Sequence, residues 1–340
     1  MPEPLPPNPF DPPSHEHTAY ECCLTLEALR SWDVPSEPAA MSRFSPQVAA
    51  RVLGYALILH LTSPMAMAQE ISGYCGNAEF MSGLAYLYVM GVIRMCKGPV
   101  STRRVQPESL PEDIDIAALS NLSQSTDSDA RKLVLARDNY RCIVSGNVDT
   151  TSLRNGLTTI DLAAGERKTD MELGYIFKTT GDQEQGYIRE GLTDAVRRKL
   201  GWASSAAAVL ERLAGITLVQ DIHEVENTFT ISPNLHGLWG RLWISLHPIT
   251  SEDDSSNTYE IHTYPPSENA QYGLPYRTTN TLPSRRYLAF HDACAKVAYL
   301  SGAGEVMEQL FWDVGNVRVL AEDGEDRSLL SLALFRSSNL

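Results

Sequence analysis

Apolar residues recur at helical spacing through the front of this chain and at strand spacing through its middle. Ser45-Pro46 reads as an N-cap followed by proline at the first helical position, and Val48, Val52, Tyr55 and Leu59 then line one helical face. Ser63-Pro64 repeats the start signal, and Phe80 to Ile93 is a further apolar helical run. Upstream, Tyr20 to Trp32 predicts a short amphipathic helix with Cys23, Leu24, Leu26 and Leu29 turned inward. Asp127-Ser-Asp caps a predicted helix to about Asn139, which leads into a strand over Arg141–Val144. Thr193 to Ala214, closed by Gly215, predicts a long helix. The period then changes. Leu242-Trp-Ile-Ser-Leu-His-Pro and Asn257-Thr-Tyr-Glu-Ile-His-Thr-Tyr alternate with period two across an acidic turn, which is a β-hairpin. Helical spacing returns with Tyr287, Phe290, Cys294, Val297 and Leu300, and Ser301-Gly-Ala-Gly304 breaks that helix before another over Glu305–Trp312.

Residues 1–18 hold seven of the chain's twenty prolines. Proline cannot donate a backbone hydrogen bond and biases its neighbours to extended conformations, so this is a polyproline-like arm that either packs along the body or stays free. Residues 98–127 are rich in Pro, Ser and Asp and read as a linker. The expected organisation is an arm with a short helix (1–40), a helical section (41–97), the linker, a mixed core (128–265) with a helical insertion, and a C-terminal helical section (280–335) packed on that core. The fold class is α+β.

Charge and cysteine usage narrow the function classes. The net charge of −14 disfavours a large nucleic-acid footprint, because phosphate binding draws its affinity from Lys and Arg. Arg103-Arg104, Arg131-Lys132, Arg197-Arg198-Lys199 and Arg285-Arg286 are the local basic clusters; each reads equally as a solvated helix face. The six cysteines are scattered and form no Cys-x-x-Cys pair, which excludes a ribbon-type zinc site and fits a reducing, intracellular compartment, cytoplasm and nucleus both open. The first twenty residues carry no apolar signal region, and the stretch Val52–Leu61 is too short to cross a bilayer. No GxGxxG, P-loop, GxSxG or His-Glu-x-x-His motif occurs.

The chemistry-bearing blocks are Arg137-Asp-Asn-Tyr-Arg-Cys142-Ile-Val-Ser-Gly146 and, further on, Glu226-Asn227-Thr-Phe-Thr-Ile-Ser-Pro-Asn-Leu-His236-Gly-Leu-Trp. Eight residues separate Asn227 from His236, with a β-branched run between them and a helix start just before the histidine. Together the blocks resemble the HNH nuclease domain in the long-insert form found in fungal proteins. "LPSRRYLAFHDACAKVAYLSGAGE" and "RVLGYAL" carry the resemblance across most of 45–335. It implies a ββα-metal core with a β-hairpin, flanked by helical sections. In such a core one histidine on the first strand deprotonates a water, an asparagine orients the loop, and a histidine in the helix ligates a divalent metal, Mg²⁺ or Mn²⁺, that holds the scissile phosphate.

By position, the resemblance puts Tyr175 in the base slot, Asn227 in the asparagine slot and His236 in the ligand slot. The segment is Met171-Glu-Leu-Gly-Tyr175-Ile-Phe-Lys, so Gly174, immediately before the base slot, supplies no side-chain ligand. A phenol is ionised in about one molecule in a thousand at neutral pH, roughly 4 kcal/mol against the base form. One imidazole does not hold Mg²⁺ or Mn²⁺. Asp170 and Glu172 flank Met171 and would share a strand face, where they are candidate carboxylate ligands. His223 is an alternative base with unfavourable spacing.

Other residues have plainer readings. His247 and His262 alternate onto one face of the hairpin, where they are either metal ligands or solvent-facing or hydrogen-bonded neutral histidines. His291 reads as packing, His15 and His17 as solvated, and Cys142 as a buried strand thiol. Phe229, Trp239 and Trp243 read as core or as base-stacking platforms. The resemblance leaves three functions open: a metal-dependent nuclease of weak activity, a non-catalytic HNH-fold protein that binds a protein, small molecule or nucleic acid, and a small-molecule enzyme using Tyr175 as acid.

Overall fold

Proline at the first turn starts two of the front helices in the computed structural model, and at one of them the preceding serine hydroxyl adds a cap. This structure describes residues 2–31, 45–97, 127–177, 225–249, 258–266, 277–278 and 283–308. They fall into two units. One takes in 2–31, 45–95 and 293–308, and the other takes in the described residues from 96 to 292.

The first unit is helical. Ser14 Oγ accepts the His17 amide at 3.1 Å and caps α1 (His15–Glu27). Ser45 Oγ accepts the Val48 amide and caps α2 (Pro46–Ile58). Then come α3 (Pro64–Gly73) and α4 (Ala78–Leu87), the latter capped by Asn77. A buried π-helical turn (Tyr88–Ile93) and a last short piece, α5 (Arg94–Cys96), continue it. Helix α1 packs on α2 and α3, and α2 packs on α4. The proline arm lies along these helices. Tyr55 Oη donates to the Glu3 and Pro4 carbonyls, Tyr20 Oη donates to Pro6 O, and both Glu27 carboxylate oxygens accept the Leu5 amide. Leu5 is buried with its methyl groups against Gly54, where a Cβ would stand 2.6 Å from the nearest of them. A larger residue at 54 would lift the arm off α2.

Two expectations for this unit change. Helix α1 starts at His15 rather than Tyr20 and ends at Glu27, which leaves Leu29 exposed while Cys23 and Leu26 are buried. The Ser14 cap explains the earlier start. Cys22 and Cys75 are joined in a disulfide, so the cysteine pattern no longer argues for a reducing compartment. The other described cysteines, Cys23, Cys96, Cys142 and Cys294, are buried thiols.

The second unit is α+β. Helix α6 (Asp127–Arg137) precedes a turn in which Asn139 and Tyr140 take left-handed φ values. The block Arg141–Val144 is not the expected strand. Gly146 at φ 69 closes a tight turn, Cys142 exchanges main-chain bonds with Asn147 and Gly146, and a single bridge joins Arg141 to Val148. Strand β1 (Val148–Asp149) runs parallel to β2 (Lys168–Thr169), with the short helix α7 (Thr150–Arg154) between them. Strands β3 (Glu172–Tyr175) and β4 (Thr228–Ile231) pair antiparallel, Glu172 opposite Ile231 and Gly174 opposite Phe229. Helix α8 (Pro233–Gly240) follows β4 directly.

The expected hairpin is present as β5 (Ile244–Pro248) and β6 (Thr258–Thr263), joined by β7 (Arg277–Thr278) in a three-stranded antiparallel sheet. Helix α9 (Arg285–Ser301) begins in this unit, and its residues from Ala293 onward belong to the first. Helix resumes over 303–308. The inserted helix Thr193–Ala214, the linker 98–126 and His223 lie outside the described residues. No helix among the described residues is long and apolar enough to cross a membrane.

Candidate functional site

An ion pair pins the β3–β4 pair to α6. Arg137 donates to the carbonyls of Val225 and Thr228, while Nε and one terminal nitrogen meet both oxygens of Asp138. Asp138 in turn accepts the Thr230 amide at 2.8 Å. Burial pushes the Asp138 carboxyl above the usual carboxylate range, and Arg137 opposes that shift. Asp149 works similarly at the other end. It caps α7 through the Ser152 amide and hydroxyl and accepts the Met171 amide one residue before β3.

Asn227 precedes β4 and is buried. Its side chain accepts the Phe177 amide at 2.9 Å and donates to the Phe177 carbonyl at 3.0 Å, so one amide group satisfies both polar groups of one residue. With the Ile176 amide donating to Asn227 O, this fixes the chain leaving β3. Asn227 therefore orients the loop that follows Tyr175.

His236 stands on the first turns of α8, only 3% exposed, with Nδ1 2.7 Å from Glu172 Oε2. Glu172 is on the strand face that α8 covers. Asp170 lies outside β3 and is exposed. Of the two candidate carboxylates, the structure brings only Glu172 to the histidine.

Gly174 is on the same face as Glu172, by the two-residue period of the strand. A Cβ built on Gly174 would meet the Phe229 ring at 2.6 to 3.0 Å. Phe229 packs edge-on against Trp239, ring centroids 4.7 Å apart, and Trp239 stacks on His291 at 3.7 Å with the planes 5° from parallel. All three are fully buried. The space beside His236 along the strand is thus filled by aromatic rings. The same period puts the Tyr175 side chain on the opposite face, and its carbonyl accepts Trp239 Nε1 at 3.0 Å. Trp239 and Phe229 are core, which removes them as base-stacking platforms. Trp243 is 38% exposed and has the Arg241 guanidinium 5.2 Å above its ring.

A second cluster lies on the three-stranded sheet. His262 is paired with Ser245 and His247 with Glu260, so Ser245, His247, Glu260 and His262 share one face. Asp292 of α9 faces them. His247 Nδ1 is 2.8 Å from Asp292 Oδ2, and His262 Nδ1 is 3.0 Å from Oδ1. Ser245 Oγ and Tyr264 Oη donate to Oδ1 as well. The imidazoles lie nearly parallel with centroids 4.8 Å apart. Burial first, and the Asp292 charge second, push the Tyr264 phenol far above its ordinary range. Among the described residues this is the one group of three His, Cys, Asp or Glu side chains spaced to hold a metal ion.

The sequence reading had His247 and His262 on one face, and they are. Asp292 was not among its candidates. The signal was available in Phe290-His-Asp292, a buried acid in an apolar helix face, which needs partners. What the sequence could not say is that α9 crosses the sheet at that residue. No protein-family model, curated protein or solved structure matches this chain significantly.

Proposed function

We propose that this chain keeps the frame of an HNH domain and has given up its phosphodiester-cleaving centre, so that the ββα unit serves to bind a partner. The observation that carries this reading is the Phe229 ring over Gly174. In the HNH arrangement a metal sits between the first strand and the helix. Here the position beside the base slot has no side chain, and an aromatic ring takes its place.

The remaining donors agree with that. His236 and Glu172 pair with each other, giving one imidazole and one carboxylate. Hard cations such as Mg²⁺ require near-octahedral oxygen coordination. Tyr175 as base carries the roughly 4 kcal/mol penalty of an un-ionised phenol, and its side chain is directed to the other strand face. That separation also removes support from the reading in which Tyr175 and His236 act together on a small molecule. The clamp formed by Asn227 is a packing role that survives loss of catalysis. Arg131 and Arg285 donate to the Met171 and Ile249 carbonyls, and the net charge is −14, so a protein or small-molecule partner is favoured over nucleic acid.

The test is plasmid nicking by the full chain with Mg²⁺, Mn²⁺, Ni²⁺ or Zn²⁺, beside Tyr175→His and His236→Ala. No nicking is expected from any of the three, since restoring the base leaves the ligand position filled. Cutting by the natural protein that vanishes with His236→Ala would overturn the proposal.

A further inference from the structure

We propose that His247, His262 and Asp292 form a binding site for a single borderline divalent ion, Zn²⁺ foremost, where helix α9 meets the three-stranded sheet. It is separate from the ββα centre and does not depend on how that centre is read.

Three features carry the inference. The first is the donor set. Two imidazole nitrogens and one carboxylate oxygen, all within 4.8 Å of one another, match the three-ligand sites that zinc occupies with a water in the fourth position. Ligand atoms in a tetrahedral zinc site are about 3.3 Å apart, given metal–ligand bonds of about 2.0–2.1 Å. The Nδ1–carboxylate separations of 2.8 and 3.0 Å are already close to that. Small side-chain adjustments would replace the shared protons by an ion. Imidazole ligands favour zinc and its neighbours over Mg²⁺ or Ca²⁺.

The second feature is outer-shell support. A metal-ligating histidine generally turns its other ring nitrogen to a carboxylate or carbonyl. His262 does so: with Nδ1 toward Asp292, its Nε2 lies 3.5 Å from Glu260 Oε2. Asp292 is itself held by Ser245 Oγ and Tyr264 Oη. Ser245 and Tyr264 therefore fix the orientation of Asp292, and Glu260 lies beside the outer nitrogen of His262.

The third is access. Asp292 is 3% exposed, His262 22% and His247 42%, so the carboxylate forms the floor and the imidazoles form the rim. An ion can enter from solvent, and its outward coordination position is left to water or an anionic group. The alternative is a hydrogen-bonded hub in which both histidines simply donate to Asp292. That arrangement is stable without an ion, and the experiment separates the two.

The full chain, carrying no affinity tag, is stripped with a chelator and titrated with Zn²⁺ against a chromophoric competitor, and separately with Co²⁺ while visible d–d absorption is followed. One equivalent of Zn²⁺ and an absorption band of low-symmetry, four- or five-coordinate Co²⁺ are expected. His247→Ala and His262→Ala should each abolish both, while a His15→Ala/His17→Ala double variant and His236→Ala keep them. Glu260→Gln should weaken binding by about 10- to 100-fold, as outer-shell changes do. Millimolar Mg²⁺ should not compete. Far-UV circular dichroism identical to the natural protein's shows that the rim variants fold. Binding well below one equivalent, or binding that persists in the His247→Ala/His262→Ala double variant, would overturn the proposal.

Discussion

Two histidine–carboxylate sites in the same unit sit in opposite surroundings. His236 and Glu172 meet between a strand and a helix, beside Phe229 and Trp239, with the histidine almost wholly buried. His247 and His262 meet Asp292 at the edge of a sheet, with both imidazoles reachable from solvent. A single helix serves both places: His291 stacks on Trp239, and the next residue, Asp292, anchors the sheet cluster. The difference shows what separates a packing pair from a ligand set. The first has its volume filled by aromatic carbon, so its polar atoms have each other and little room for a third party. The second has three donors converging on space that opens outward.

If the ββα face is a packing site, it should behave as core when cut. Trp239→Ala removes the edge contact with Phe229, the stack on His291 and the hydrogen bond to Tyr175 O. A loss of about 3–5 kcal/mol is expected, the usual range for truncating a buried aromatic. Urea denaturation followed by circular dichroism measures it; a loss under about 1 kcal/mol would mean the aromatic cluster does not hold the β3–β4 pair. Asn227→Ala should come next, at about 2 kcal/mol, because both the amide and the carbonyl of Phe177 lose their partner inside the protein. Asn227→Asp keeps the acceptor but buries a carboxylate oxygen against the Phe177 carbonyl, so it should cost at least as much as Asn227→Ala.

Gly174→Ala sharpens the comparison more directly. The new methyl would stand 2.6 Å from the Phe229 ring, and overpacking of this kind costs about 1–3 kcal/mol. Making the same change in a Phe229→Leu background should cost less than in the natural protein, since the smaller side chain vacates that space. A double-mutant cycle reads the coupling. Equal cost in both backgrounds would show that Phe229 is not what excludes a side chain at 174.

How much of this was legible beforehand depended on range. The helix starts at Ser45-Pro46 and Ser63-Pro64, and the alternation that put His247 and His262 together, are local signals and hold in the structure. That Tyr175 is preceded by Gly174, which offers no side chain, could be read from the order of residues alone. The ring that covers Gly174 could not, because Phe229 reaches it only through the register of β3 on β4, about fifty residues apart in the chain. Arg141–Val144 was expected as a strand following the helix, but the turn at Ser145-Gly146 folds it back on itself. Asp292 belonged to a helix whose apolar face was clear, and its partners come from two strands that nothing near it in sequence announces.

The smallest effect in the absence of metal is expected at the sheet cluster, and that is what makes it decisive. His247→Ala in chelator-treated protein should cost only about 1 kcal/mol, because the buried Asp292 loses one partner and keeps Ser245, His262 and Tyr264. An ion bound only by the folded chain stabilises it by about 2.7 kcal/mol when its free concentration is about 100 times Kd. The natural protein should therefore gain on adding Zn²⁺ and the variant should not, a difference that appears as a metal-dependent shift in Tm. The ββα face offers the internal control. His236→Ala should lower stability in chelator, because Glu172 loses its partner, yet leave the response to zinc intact. Should His236→Ala remove the zinc response while His247→Ala leaves it, the two regions would have to exchange roles.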